Sequence, residues 1–187
     1  MKNKFSPILV ALAVLAVAGC NVYNGLVDKS ERTDAAWSDV NTTLQRRADL
    51  VPNLVATVKG YAAHEEKVFA EVSEARSRLA GARTPSESAA ADAALSGALG
   101  RLLAIAEAYP ELKANENFLR LQDEIAGTEN RIAVARKDYN DLARQYNSAI
   151  RRIPGSLLAG PLGFEKKDYF EPPEGQTAVQ RAPTVTF

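Results

Sequence analysis

The sequence predicts an all-α chain whose four long helices pack as a left-handed bundle. Three observations carry that prediction. From about Asn117 to Ile153, apolar or ring-bearing residues recur in alternating steps of three and four: Phe118, Leu121, Ile125, Ile132, Ala135, Tyr139, Leu142, Tyr146 and Ile153, with Thr128 and Ala149 at the remaining core slots. A period of about 3.5 residues keeps one stripe facing other helices only if they supercoil left-handedly. Upstream segments repeat the same ladder and are separated by breaker residues. The composition, 46% hydrophobic with 7% aromatic and abundant Ala, suits close-packed helices of one domain plus modest extra segments.

The first element is a leader. Lys2 and Lys4 give a positive start, Ile8 to Ala18 form an apolar run, and Val17-Ala18-Gly19-Cys20 follows at once. The run is too short for a membrane span, which takes about 20 residues, but suits the core of a signal peptide. The small residues before Cys20 resemble the lipobox of bacterial lipoproteins, in which the thiol is diacylglycerated and the leader removed. Residues 1–19 are therefore expected as signal peptide and 20–21 as a lipidated N-terminus; an uncleaved signal anchor is the alternative. Two or three acyl chains hold a protein firmly where one holds it marginally. Asn21 rather than Asp after the cysteine favours, by resemblance to lipoprotein sorting, the outer membrane of a two-membrane host.

Helix one is expected from Val22 to Arg47, with Val22, Leu26, Thr33, Trp37, Val40 and Leu44 on one face. Pro52 cannot donate to its i−4 carbonyl and biases Val51 away from helical angles, so a break is expected at Asp49–Pro52, a reversal in preference to a kink. Helix two then carries Val51, Leu54, Val58, Tyr61, Val68, Val72, Ala75 and Leu79. A third helix opens at Thr84-Pro85, with Thr84 as cap and Pro85 at the first helical position, and runs to about Ala108. Tyr109-Pro110 closes it, and the long fourth helix ends at Pro154-Gly155. Residues 22–153 thus make the helical body. Leu157, Leu158, Leu162, Phe164, Tyr169 and Phe170 are too apolar for a free linker, so 154–170 is expected to pack on that body. Residues 171–187 read as a disordered tail, ending in Pro183-Thr184-Val185-Thr186-Phe187.

Several blocks, in order, resemble the LemA family: Tyr23-Asn24-Gly25-Leu26-Val27, Ala36-Trp37-Ser38-Asp39-Val40, Leu44 to Val55 with its Arg46-Arg47-Ala48-Asp49-Leu50-Val51-Pro52, Val58 to Glu65, Tyr109 to Asn115, Thr128-Glu129-Asn130-Arg131-Ile132, Tyr139-Asn140 and Tyr146-Asn147. The resemblance spans about Tyr23 to Phe170. It implies an antiparallel up-and-down four-helix bundle, usually held by one N-terminal membrane segment, in proteins known at membranes and without an established catalytic activity. The lipobox departs from that pattern. A Pro-x-Val-x-Phe ending also resembles many relatives, which makes Pro183, Val185 and Phe187 candidates for docking on a partner, as extended C-termini do at sheet edges.

Chemistry finds little purchase. Basic and acidic residues balance at 23 each, and loss of a leader containing Lys2 and Lys4 leaves 21 against 23, no footprint for nucleic acid. One Cys forbids an internal disulfide. Metal sites of the di-iron bundle type need paired Glu-x-x-His motifs, and His64 is the lone histidine. Neither a Gly-x-Ser-x-Gly elbow nor a phosphate loop occurs. No metal, cofactor or catalytic residue is expected. Arg47, Glu65, Thr128 and the nearby Arg131 fall on or beside ladder positions and are candidates for a polar layer between helices; a small rotation would instead leave Arg47 and Glu65 in water. The functional expectation is a non-enzymatic, lipid-anchored envelope protein that presents a helical bundle to other envelope proteins. The competing expectation is an enzyme with a polar cleft near Arg46, Asp49, Asn53, Lys59 and Glu65, gathered by the turn at Asp49–Pro52.

Overall fold

A computed structural model describes residues 7–171. The chain is all-helical over them: α1 Pro7–Lys59, α2 Glu66–Gly81, α3 Pro85–Ala106, α4 Pro110–Lys113, α5 Glu116–Arg151 and α6 Gly155–Ala159, with no strand among the described residues. Four helices are long and two are single short turns. The chain divides into two compact units, through both of which α1 and α5 pass. Pro183, Val185 and Phe187 lie outside the described residues.

The largest departure from expectation is α1. It has 53 residues, roughly 80 Å at 1.5 Å per residue, and it passes Asp49–Pro52 without a break. The expected reversal at Pro52 does not occur; the chain turns at Gly60–Glu65 instead. The physical reason lies on α2. Pro52 leaves the Ala48 carbonyl without its helical donor, and Arg76 Nε donates to that oxygen at 2.8 Å. With the orphan acceptor satisfied from another helix, the proline remains inside α1.

One unit holds Trp37–Lys137 together with the described residues from Asp168 onward. Its core follows most of the predicted ladder: Val40, Leu44, Val51, Leu54 and Val58 of α1, Val72 and Leu79 of α2, Leu95, Leu99 and Leu102 of α3, and Phe118, Leu121, Ile125 and Ile132 of α5 are all buried. At the start of α2, however, Phe69 is buried where Val68 was expected, and Tyr61, also expected on the ladder, is exposed in the turn. Helices α2 and α3 pack on each other as a hairpin, fastened by Arg101 to Glu71 at 2.8 Å. Helix α3 starts with a full capping box, in which Thr84 Oγ1 accepts from the Glu87 amide and the Glu87 carboxylate accepts from the Thr84 amide. Donation from the Arg83 amide first, and then from the Thr84 amide, holds the Glu87 carboxyl below the ordinary carboxylate range. By length and composition α3 could cross a membrane; its Leu95, Ala98, Leu99, Leu102 and Ala106 are buried within this unit.

The other unit holds the first part of α1, through Ala36, and Asp138–Lys167. Leu26 and Thr33 of α1 and Tyr139, Ala143, Tyr146 and Asn147 of α5 are buried in it. Beyond α5 the chain makes a tight corner. A Cβ on Gly155 would stand 2.2 Å from the Ala149 carbonyl oxygen, so only glycine fits there. Gly163 takes φ +75 in a second turn. Ile153, expected on the core ladder, lies past the end of α5 and is 79% exposed; the corner ends the helix before the ladder can use it.

Candidate functional site

Two polar centres stand out, one in each unit. The first is Arg47, on the buried face of α1 and only 2% exposed. Its guanidinium donates to Asp92 Oδ1 of α3 at 2.7 Å and approaches Glu129 Oε2 of α5 at 3.6 Å. Its Nε is buried with no hydrogen-bond partner among the described residues. Burial raises the Asp92 carboxyl above its ordinary value, and Arg47 pulls it back only in part.

Of the other residues expected in a polar layer, Thr128 is fully buried and its hydroxyl donates to the Ile125 carbonyl at 2.7 Å, within its own helix. Glu65 is half-buried at the turn before α2, and Arg131 lies on the surface of α5. The acids that meet Arg47 are thus Asp92 and Glu129. Asp92 did carry a signal, as the single charge inside the Ala-rich run from Ala89 to Leu95. Glu129 and Arg76 carried none, since their partners are far away in sequence.

The second centre is Asn147, fully buried on α5. Its Nδ2 donates to the Lys167 carbonyl at 2.8 Å, and its Oδ1 accepts from the Lys167 amide at 2.9 Å. One side-chain amide therefore reads one residue of extended backbone, as a neighbouring strand would. The Lys167 ammonium donates to both Asp34 carboxylate oxygens, at 2.7 and 2.9 Å, and lies 5.9 Å from the centre of the Tyr146 ring. Burial, then the nearby Asp34 charge, raises the Tyr146 phenol above its ordinary value. Beside this clamp lies a cleft of about 580 Å³ lined by Tyr23, Val27, Ser30, Tyr146, Leu162 and Phe164, among others.

The residues expected to line an enzyme cleft are not gathered by a turn at Asp49–Pro52, because α1 continues through Pro52. Arg46, Asp49, Asn53 and Lys59 are spread over about 20 Å of one uninterrupted helix, with Lys59 on a different side from the other three. Arg46 pairs with Glu124 at 3.2 Å and Asp49 accepts from Gln45. Among the described residues, no group of three or more His, Cys, Asp or Glu side chains is placed to hold a metal ion. Cys20 is exposed on α1 as a free thiol, and the apolar residues preceding it, Leu9, Leu12, Val14 and Val17, are exposed as well.

The sequence model of the LemA family matches residues 36–187. The chain belongs to the LemA family. Relatives include Magnetosome protein MamQ 2 of Paramagnetospirillum magneticum, 33% identical over 84% of this chain and 68% of the relative. Magnetosome protein MamQ of Magnetospirillum gryphiswaldense is 32% identical over the same shares. Protein LemA of Metamycoplasma hominis is 26% identical over 81% of this chain and 69% of its own length. The LemA match includes Arg47, Asp92, Glu129, Asn147 and Lys167, while Asp34, the partner of Lys167, lies two residues before the match begins.

Proposed function

We propose that this LemA-family chain is a membrane-anchored envelope protein whose helical body serves as an interaction module and performs no chemistry of its own. The observation that carries this is the start of α1. Leu9, Leu12, Val14 and Val17 are exposed apolar residues that lead directly to Cys20, on a helix that continues into the folded units. Exposed apolar surface of that extent is unfavourable in water and suited to a bilayer. The lipobox-like residues before Cys20 favour acylation of its thiol with removal of residues 1–19, and Asn21 favours the outer membrane where the host has two. Three relatives are named for a cellular structure and none for a reaction, which supports an interaction role. The short connections and the ion pairs Arg46 to Glu124 and Arg101 to Glu71 support reading the four long helices as an antiparallel up-and-down bundle. Partners would be other envelope proteins, met through the helical surfaces or through Pro183, Val185 and Phe187.

Replacing Cys20 with Ser tests the anchor. A variant that carries no acyl chains and keeps residues 1–19, unlike the unsubstituted chain, is expected by mass; a variant and an unsubstituted chain that both keep residues 1–19 without acyl chains would show an uncleaved anchor instead. Cross-linking in cells, comparing the full chain with one ending before Ala182, tests the tail. Partners lost with the truncation would place docking on the tail, and partners kept would place it on the helices.

A further inference from the structure

We infer that the corner formed by the end of α5, α6 and the turn at Gly160–Gly163 is a second membrane contact, seated on the phospholipid surface beside the anchor. This rests on the anchored reading above and gives it a geometry. Tyr23 lies less than one turn beyond Cys20 on α1, about 4.5 Å along the axis. The Tyr23 ring meets Phe164 edge to face at 5.8 Å between centroids, and Leu162 lines the same cleft as Tyr23. The corner is knit into that position by short backbone bonds, Leu162 N to Leu158 O at 3.1 Å and Phe164 N to Ala159 O at 2.9 Å. Whether acyl chains on Cys20 or the apolar residues before it enter the bilayer, the headgroup layer must then reach Tyr23 and the corner beside it.

The chemistry of the corner fits that placement. Ile153 is 79% exposed, Leu157 68% and Leu162 49%, three large apolar side chains exposed together in one short stretch of chain. The exposed Arg151, Arg152 and Lys166 accompany them, against the exposed acids Glu165 and the Glu31 of α1 that lines the same cleft. Apolar side chains flanked by long basic ones, with a tyrosine alongside, is the composition that settles at a headgroup boundary and favours anionic lipid. The Asn147 clamp on Lys167 holds the corner in this pose, because it fixes the backbone immediately after it.

The test uses the single native tryptophan. In a Trp37→Phe background, Leu157→Trp and Leu162→Trp each place a lone reporter in the corner. Ala35→Trp places one roughly 22 Å further along α1 from Cys20. Each full chain, purified from membranes, is reconstituted into vesicles of phosphatidylethanolamine and phosphatidylglycerol with or without brominated acyl chains. The expected result is that both corner reporters shift to the blue and lose most of their emission to brominated lipid, while the reporter at position 35 keeps its own. Protein that floats with vesicles while the corner reporters stay unquenched, or are quenched no more than position 35, overturns the second contact and leaves the anchor standing. Protein that does not float overturns the anchor and the second contact together.

Discussion

The two buried polar centres solve opposite problems. Arg47 carries a full charge into the core of one unit and meets acids that only partly compensate it: Asp92 is close and itself reluctant to ionise, Glu129 stands off at 3.6 Å, and Nε is left over. Asn147 carries no charge into the other unit, and its carbonyl and amide groups are both matched by one backbone residue. A neutral amide that finds a peptide is stabilising and selects register, whereas a buried ion pair does little more than offset its own desolvation. The first centre ties three helices to one another, and the second ties a chain segment to a helix.

The comparison breaks most visibly at Arg47. Arg47→Ala strands Asp92 in a buried site and is expected to cost about 3 to 5 kcal/mol, seen as a large drop in the denaturant midpoint. The paired change Arg47→Met with Asp92→Leu removes both charges and is expected to recover most or all of that loss. If the pair fares no better than the single change, Arg47 is held by more than its acids.

Asn147→Leu should cost less, about 2 kcal/mol, by leaving the Lys167 amide and carbonyl unmatched. Its signature is local: faster hydrogen exchange and proteolysis around Lys167 before global unfolding. Uniform exchange across the chain would show that the clamp is not a separate unit of stability.

A third contrast is Arg76, which completes a backbone and not a charge. Arg76→Met should cost about 1 to 2 kcal/mol while Pro52 is present, because the Ala48 carbonyl loses its donor. In a Pro52→Ala background the helix supplies its own donor, and the same substitution should then cost clearly less. Equal costs in both backgrounds would separate Arg76 from the proline.

The smallest effect is on pH. The Asp92 carboxyl is raised in the folded chain from its ordinary 3.8, so between that value and its folded pKa the native state binds more protons than the unfolded one. Stability from this group therefore falls as pH rises through that window. Asp92→Asn should flatten that descending limb in a pH series of unfolding midpoints; an unchanged limb would assign it to other carboxylates.

The residues that were legible in the sequence are those whose causes are local. The ladder from Phe118 to Tyr146 reports its own helix, and Thr84-Pro85 with Glu87 reports a helix start, because spacing and capping act within a few residues. Pro52 was misleading for the complementary reason. Its local effect is to break a helix, and the compensation comes from Arg76 on α2, which nothing near Pro52 announces. The site divides in the same way. Ladder position placed Thr128 in the core but left Arg47 and Glu65 open between core and water, and the identity of the acids at Arg47 and the clamp at Asn147 depend on which distant segments meet. Lys167 looks like an ordinary surface lysine until the fold lays its backbone against Asn147.

The membrane anchor is the claim from which the proposed role and the second contact both follow, and the intact mass of the chain purified from cell membranes addresses it most directly. The account predicts a mass lacking residues 1–19 and increased by acyl chains carried on Cys20. An unmodified chain that retains those residues would contradict it.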